Sequence, residues 1–139
     1  MSVAQNKAVL RKGAEHFNAP TRRAGWLEIH APEVQAHGLA PQPLDRDGIA
    51  AFYAVLWDAF PDLAITVEDM VGEGDRVAWR LSVRGTHQGS FRGIPPTGEV
   101  VDFGAHYIFR FRDGAVVERW TNFDRLGVLA QLGAVAVPA

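Results

Sequence analysis

The sequence predicts an α+β domain in which a strongly curved antiparallel sheet wraps around N-terminal helices, a cone-shaped α+β barrel left half open. Three observations carry this. Up to Pro61 the apolar residues recur at helical spacing, and from Leu63 the period switches to two. The strand-like half is punctuated by hairpin signals at Gly72-Glu73-Gly74-Asp75 and Asp113-Gly114. Between the halves, Ile49, Phe52, Tyr53, Leu56, Trp57 and Phe60 form an aromatic stripe too broad for another helix to cover, so it calls for a sheet.

Taken in order, Ser2 with Gln5 three residues on forms a capping box, and Val3, Leu10, Ala14 and Phe17 follow at helical spacing. Asn18-Ala19-Pro20 ends that helix. Thr21 caps a short second helix carrying Trp26, Leu27 and Ile29 and ending near Pro32. Glu33 to His37 is a short extended piece, and Gly38 to Pro43 a loop. Asp45 or Asp47 caps the aromatic helix, which Pro61 closes. Leu63, Ile65 and Val67 open the first long strand, and Val77, Trp79, Leu81 and Val83 share a face of the next. Gly85 to Gly98, with four glycines and two prolines in fourteen residues, can only be a shaped connection. Val100 to Arg112 is a strand with Phe103, Ala105, Tyr107, Phe109 and Phe111 on one face, and Ala115 to Phe123 returns beside it. Asp124 caps a last helix closed by Gly133, and the final Ala-Val-Ala-Val-Pro-Ala frays. No linker divides the chain, so residues 1–139 read as one domain with a core over about 3–133.

Composition narrows the function. The 139 residues carry a formal net charge of −2 with dispersed basic residues, which gives no electrostatic footprint for nucleic acid. Without cysteine there is no disulfide, thiolate metal site or cysteine nucleophile. No apolar run reaches the roughly 20 residues of a membrane helix and no signal-peptide core is seen, so a cytoplasmic location is expected. No histidine–carboxylate cluster or phosphate-binding glycine motif is present, and neither a metal nor a nucleotide cofactor is expected.

Several motifs, in order along the chain, resemble the SnoaL-like polyketide cyclase family. They are Ala59-Phe60-Pro61-Asp62-Leu63, Gly74-Asp75-Arg76-Val77, Gly85-Thr86-His87-Gln88-Gly89, Gly93-Ile94-Pro95-Pro96-Thr97-Gly98, Phe109-Arg110-Phe111-Arg112-Asp113-Gly114, Glu118-Arg119-Trp120 and Gln131-Leu132-Gly133. The resemblance implies the nuclear transport factor 2-like cone, usually a homodimer, and cofactor-free acid/base chemistry such as intramolecular aldol cyclisation of a small apolar molecule. It also marks departures. The family's acid/base aspartate falls at Thr121 and its pocket histidine at Tyr107, while its asparagine falls near Ala36 or His37. Such a scaffold hosts many functions, so chemistry must come from the site.

The remaining candidates each have two readings. His37, whose His-Gly pair borders the pocket in the family it resembles, either transfers a proton to an enolisable ketone or is a loop histidine bonded to backbone. Asp124 is either a displaced acid/base group or only a helix cap. Tyr107 either polarises a carbonyl oxygen or is a core aromatic. Arg119 and Thr121 share a face with Val117 and Phe123. If that face lines the cavity, Arg119 can hold a carboxylate or developing enolate; if it is the outer face, Arg119 is merely solvated, and periodicity alone does not decide. Tyr53, Trp57, Trp79 and Phe103 are core aromatics that also serve as pocket walls. His87 reads as a loop-fixing residue, and His106 faces a dimer partner or solvent. A non-catalytic binding domain and a cofactor-independent hydroxylase are the alternatives to an isomerase or cyclase.

Overall fold

The computed structural model describes residues 1–136, so the end of the stretch expected to fray, residues 137–139, lies outside the described residues. Four helices, α1 (Val3–Phe17), α2 (Ala24–Leu27), α3 (Arg46–Ala59) and α4 (Arg125–Gln131), pack with five strands. These are β1 (His30–His37), β2 (Ala64–Glu73), β3 (Arg76–Thr86), β4 (Val100–Arg112) and β5 (Ala115–Phe123). They form one curved, unclosed sheet in the order β1-β5-β4-β3-β2.

Local chemistry sets the helix ends. The Ser2 hydroxyl accepts from the Gln5 backbone at 3.1 Å, and the Gln5 side chain accepts from the Ser2 backbone at 2.8 Å, a reciprocal cap for α1. At the other end the Asn18 side chain bonds both the N–H and the C=O of Ile65, each at 2.8 Å, fastening α1 to β2. For α3 the cap is Asp45, whose Oδ1 accepts from the Gly48 N–H at 2.8 Å. One expectation needs correction. Helix α2 holds only Ala24–Leu27, with Arg23 rather than Thr21 at its N-cap, and Ile29 lies outside it. The chain joins the sheet at His30, sooner than the short strand expected from Glu33, because the Ile29 carbonyl already accepts from Val116 N–H at 2.9 Å. Pro32 is tolerated because β1 is an edge strand whose pairing is irregular between His30 and Gln35.

Antiparallel ladders join β2 to β3, β3 to β4 and β4 to β5. The ladder between β1 and β5 is parallel, a pairing that no hairpin signal announces. On the inner face Val77, Trp79, Leu81 and Val83 stand opposite Phe109, Tyr107, Ala105 and Phe103. Helix α3 lays Ile49 and Tyr53 into this concave surface, and α1 with α2 adds Leu10, Phe17 and Trp26.

The Gly85–Gly98 connection is docked by its backbone. Gln88 and Gly89 N–H groups donate to the Ala59 carbonyl at 3.0 and 3.1 Å. A Cβ on Gly89 would fall on the Asp58 carbonyl oxygen, so only glycine permits this approach. The buried His87 accepts at Nδ1 from the Thr97 N–H at 3.2 Å and sits 3.0 Å from the Thr97 hydroxyl. Its role is to hold the loop closed.

At the rim, Gly38 has φ +91°, and a Cβ there would fall on the Thr121 carbonyl oxygen. Gly38→Ala is expected to cost about 1–3 kcal/mol through backbone strain and to loosen the β1–β5 edge. Gly74 also has positive φ but nothing within 4 Å, so Gly74→Ala should cost less. Urea midpoints of the two variants check this ordering.

Candidate functional site

Period-two alternation along β5 buries Val117, Arg119 and Thr121 and turns Glu118, Trp120 and Asn122 outward. Arg119 is thus the residue of interest: its side chain has 0 % exposure inside an aromatic core. It donates from Nη1 to His30 Nε2 at 3.1 Å. From Nη2 it donates to the Tyr53 hydroxyl at 2.8 Å and the Thr121 hydroxyl at 3.2 Å. Its Nε–H has no partner, and among the described residues no carboxylate pairs with it. Aromatic faces surround the guanidinium, with Tyr107 at 4.9 Å and Phe109 at 5.4 Å from its carbon to their ring centres. Cation–π attraction offsets part of the cost of burying an unpaired charge.

The neighbouring groups are tuned by this cation. His30 is buried and donates from Nδ1 to the Leu27 carbonyl at 3.0 Å, because its Nε2 must accept from arginine. Burial, reinforced by Arg119, pushes its pKa down to about 3, so the ring is neutral. Stability linkage follows. Between pH 6.5 and about 3 the unfolded chain takes up a proton that folded His30 refuses. Stability therefore falls as pH falls through that window, by up to about 1.4 kcal/mol per pH unit. Urea midpoints at pH 7 and pH 4.5 should show the loss, and His30→Gln should reduce the difference. Burial also raises the Tyr107 phenol above the usual range; Tyr53 adds to this and Arg119 opposes it. The Tyr107 ring is half-buried as a whole, with its hydroxyl end enclosed beside Tyr53 and Arg119.

Tyr53 and Tyr107 both line the interior cavity of the cone. The rest of that wall is apolar and drawn from several elements: Leu56 from α3, Phe91 from the loop, Phe103 from β4, Phe123 from β5 and Val128 from α4. The enclosed space is about 40 Å³, against roughly 300–1,000 Å³ for an occupied small-molecule site. The cavity as it stands is smaller than such a site.

Of the residues named from sequence, Tyr53, Tyr107, Phe103, Arg119 and Thr121 come together around this cavity and its polar end. Four do not. His37 stands beside outward-facing Trp120 in the ladder, stacks on its ring at 5.6 Å and bonds Glu118 at 2.7 Å. It faces away from the cavity, which corrects the expectation that it borders the pocket. Its contact, followed by the Arg110 pair, holds the Glu118 carboxyl below the usual carboxylate range. Asp124 is exposed, and its Oδ1 accepts from the Gly127 N–H at 2.8 Å as the cap of α4. Trp79 is buried but packs against Trp26 at 5.7 Å, and Trp57 lies under the Arg23 guanidinium at 5.3 Å; neither lines the cavity. His106 is exposed on the outer face. Sequence reading missed His30, because its partner lies 89 residues away. Among the described residues no group of three or more His, Asp or Glu is placed to hold a metal ion.

A family model described as SnoaL-like polyketide cyclase matches residues 8–132. Among solved structures, AclR from Streptomyces galilaeus, a proposed hydroxylase, is 30% identical with a TM-score of 0.89, over 98% of this chain and 89% of that one. IdmH from Streptomyces antibioticus, a proposed polyketide cyclase, is 35% identical with a TM-score of 0.80, over 93% and 99% respectively. A SnoaL-like protein from Jannaschia sp. CCS1 is 28% identical with a TM-score of 0.84, over 98% of each chain. No curated protein matches the sequence.

Proposed function

Because the chain belongs to the SnoaL-like polyketide cyclase family, we propose that it acts without a cofactor on an apolar carbonyl or polyketide-like small molecule held inside the cone. The observation that carries this reading is the buried, carboxylate-free Arg119 behind the two phenols of an otherwise apolar cavity. Hydroxyl donors aimed at a substrate oxygen, backed by a desolvated cation, stabilise negative charge as it develops there. Tyr107 donates to the ligand oxygen, Thr121 helps fix the guanidinium, and the reaction is a cyclisation or isomerisation in which the proton lost from the enolisable carbon passes to water. His37 and Asp124 are engaged instead with Glu118 and the start of α4.

A second reading, a small-molecule binding domain, is favoured by one feature: among the described residues no carboxylate or imidazole lines the cavity. The similarity to AclR supports a third, in which a substrate carbanion held by the same group reacts with oxygen. Deuterium exchange at the enolisable carbon of 2-acetyl-1-tetralone, followed by NMR, separates them. Exchange accelerated by the protein and lost in Tyr107→Phe supports the enzyme. Binding without exchange supports the binder, oxygen consumption the hydroxylase, and no binding sinks all three.

We further propose that the protein pairs through the outer face of its sheet as a homodimer. There Val71 (64 % exposed) and Ile108 (43 % exposed) flank an open groove of about 360 Å³ reaching Trp120. Exposed apolar side chains in one patch mark interaction surfaces. Light scattering should give twice the chain mass for the native protein and a monomer for Ile108→Glu; a native monomer would refute the pairing.

A further inference from the structure

The polar groups at the cavity are unusual in sign. A guanidinium stays charged at any pH the protein will meet. Every partner of Arg119 is neutral: His30, held uncharged by burial, and the hydroxyls of Tyr53 and Thr121. Four aromatic rings lie with their centres 4.9 to 5.7 Å from its carbon and offset part of the desolvation cost, but they bring no negative charge. Its Nε–H is left without a partner. Among the described residues none that lines the cavity is a carboxylate or an imidazole, so the wall itself supplies no negative charge. No partner of Arg119 supplies the negative charge that would complete the arrangement.

We propose that the cavity of the cone is a docking site for an apolar molecule bearing a carboxylate, whose oxygens accept from the Tyr53 and Tyr107 hydroxyls with Arg119 as their counter-charge. The inference rests on the reading that the ligand enters this cavity, and it names the group that anchors it. The stoichiometry fits a monoanion: one cation, and two phenols on the cavity wall. Arg119 already donates to the Tyr53 oxygen, and the Tyr53 and Tyr107 hydroxyls contact each other, so an entering acceptor takes a phenol proton in place of that contact. A dianionic phosphate would need more donors than this wall presents. The surrounding Leu56, Phe91, Phe103 and Phe123 take the apolar remainder of the molecule.

Benzoate and benzamide, which match in shape and differ in charge, test this on the full chain by calorimetric titration. The expected result is that benzoate binds at least about tenfold more tightly than benzamide, and that Arg119→Met removes the preference. Tyr53→Phe keeps the cation and the ring, and should cut benzoate affinity several-fold, so the test survives if the arginine variant fails to fold. Equal binding of the two probes, or tighter binding of benzamide, would overturn the carboxylate assignment and leave the cavity reading standing. If neither probe binds, both fall.

Discussion

Trp26→Ala is expected to remove about 3–5 kcal/mol of stability, a large part of the 5–15 kcal/mol typical of a domain. Trp26 is 1 % exposed and is the hub of the core. It stacks on Trp79 at 5.7 Å and meets Phe17, His30, Tyr53 and Phe109 edge-on at 5.8 to 6.3 Å. Its face also carries the Arg119 guanidinium at 5.7 Å. Truncation therefore opens a void next to a buried charge and removes one of the surfaces that solvates it. The half-buried Trp57, with Arg23 across its outer side, is the control, and Trp57→Ala should cost clearly less. Urea unfolding of both variants checks the order; equal losses would show that the aromatic hub is not where stability concentrates.

The second large effect is on function. Arg119→Met keeps the volume and removes the charge. Recovering the desolvation cost of an unpaired buried cation returns several kcal/mol, while leaving Tyr53, Thr121 and His30 without their donor costs about 1–3 kcal/mol each. The two effects are of similar size, so the net change in stability should stay below about 2 kcal/mol. Stabilisation of an anionic ligand or transition state has no such compensation, and about a hundredfold loss in affinity or turnover is expected. A folded variant with unchanged ligand affinity would reduce Arg119 to a packing element.

How far the sequence speaks depends on the range of the interaction. The capping side chains Ser2, Asp45 and Asp124, the turns at Gly74 and Asp113-Gly114 and the inner faces of β3 and β4 are local signals, and the structure has each of them. The family resemblance, carried by motifs spread from Ala59 to Gly133, agrees with the family model over residues 8–132. What stayed hidden depends on distant pairing. The parallel register of β1 on β5 decides that His37 faces outward with Trp120, and nothing in the His37-Gly38 pair reveals it. Alternation grouped Arg119 with Thr121 but could not say which face was inside. His30 became part of the site only because β1 begins there, opposite Val116. Asp124 illustrates the converse: a residue attractive for chemistry serves as the cap of a helix end.

The central claim is that the ligand meets the phenols of Tyr53 and Tyr107 inside the cone, with Arg119 behind them. The chain contains only two tyrosines, so selective ¹³C labelling of tyrosine rings gives signals from these two residues alone. Titration with benzoate should shift both tyrosine signals, and in a second sample labelled on its histidine rings it should shift that of His30 and leave that of His37 unmoved. Shifts confined to His37, or tyrosine signals unchanged at saturating ligand, would contradict the account.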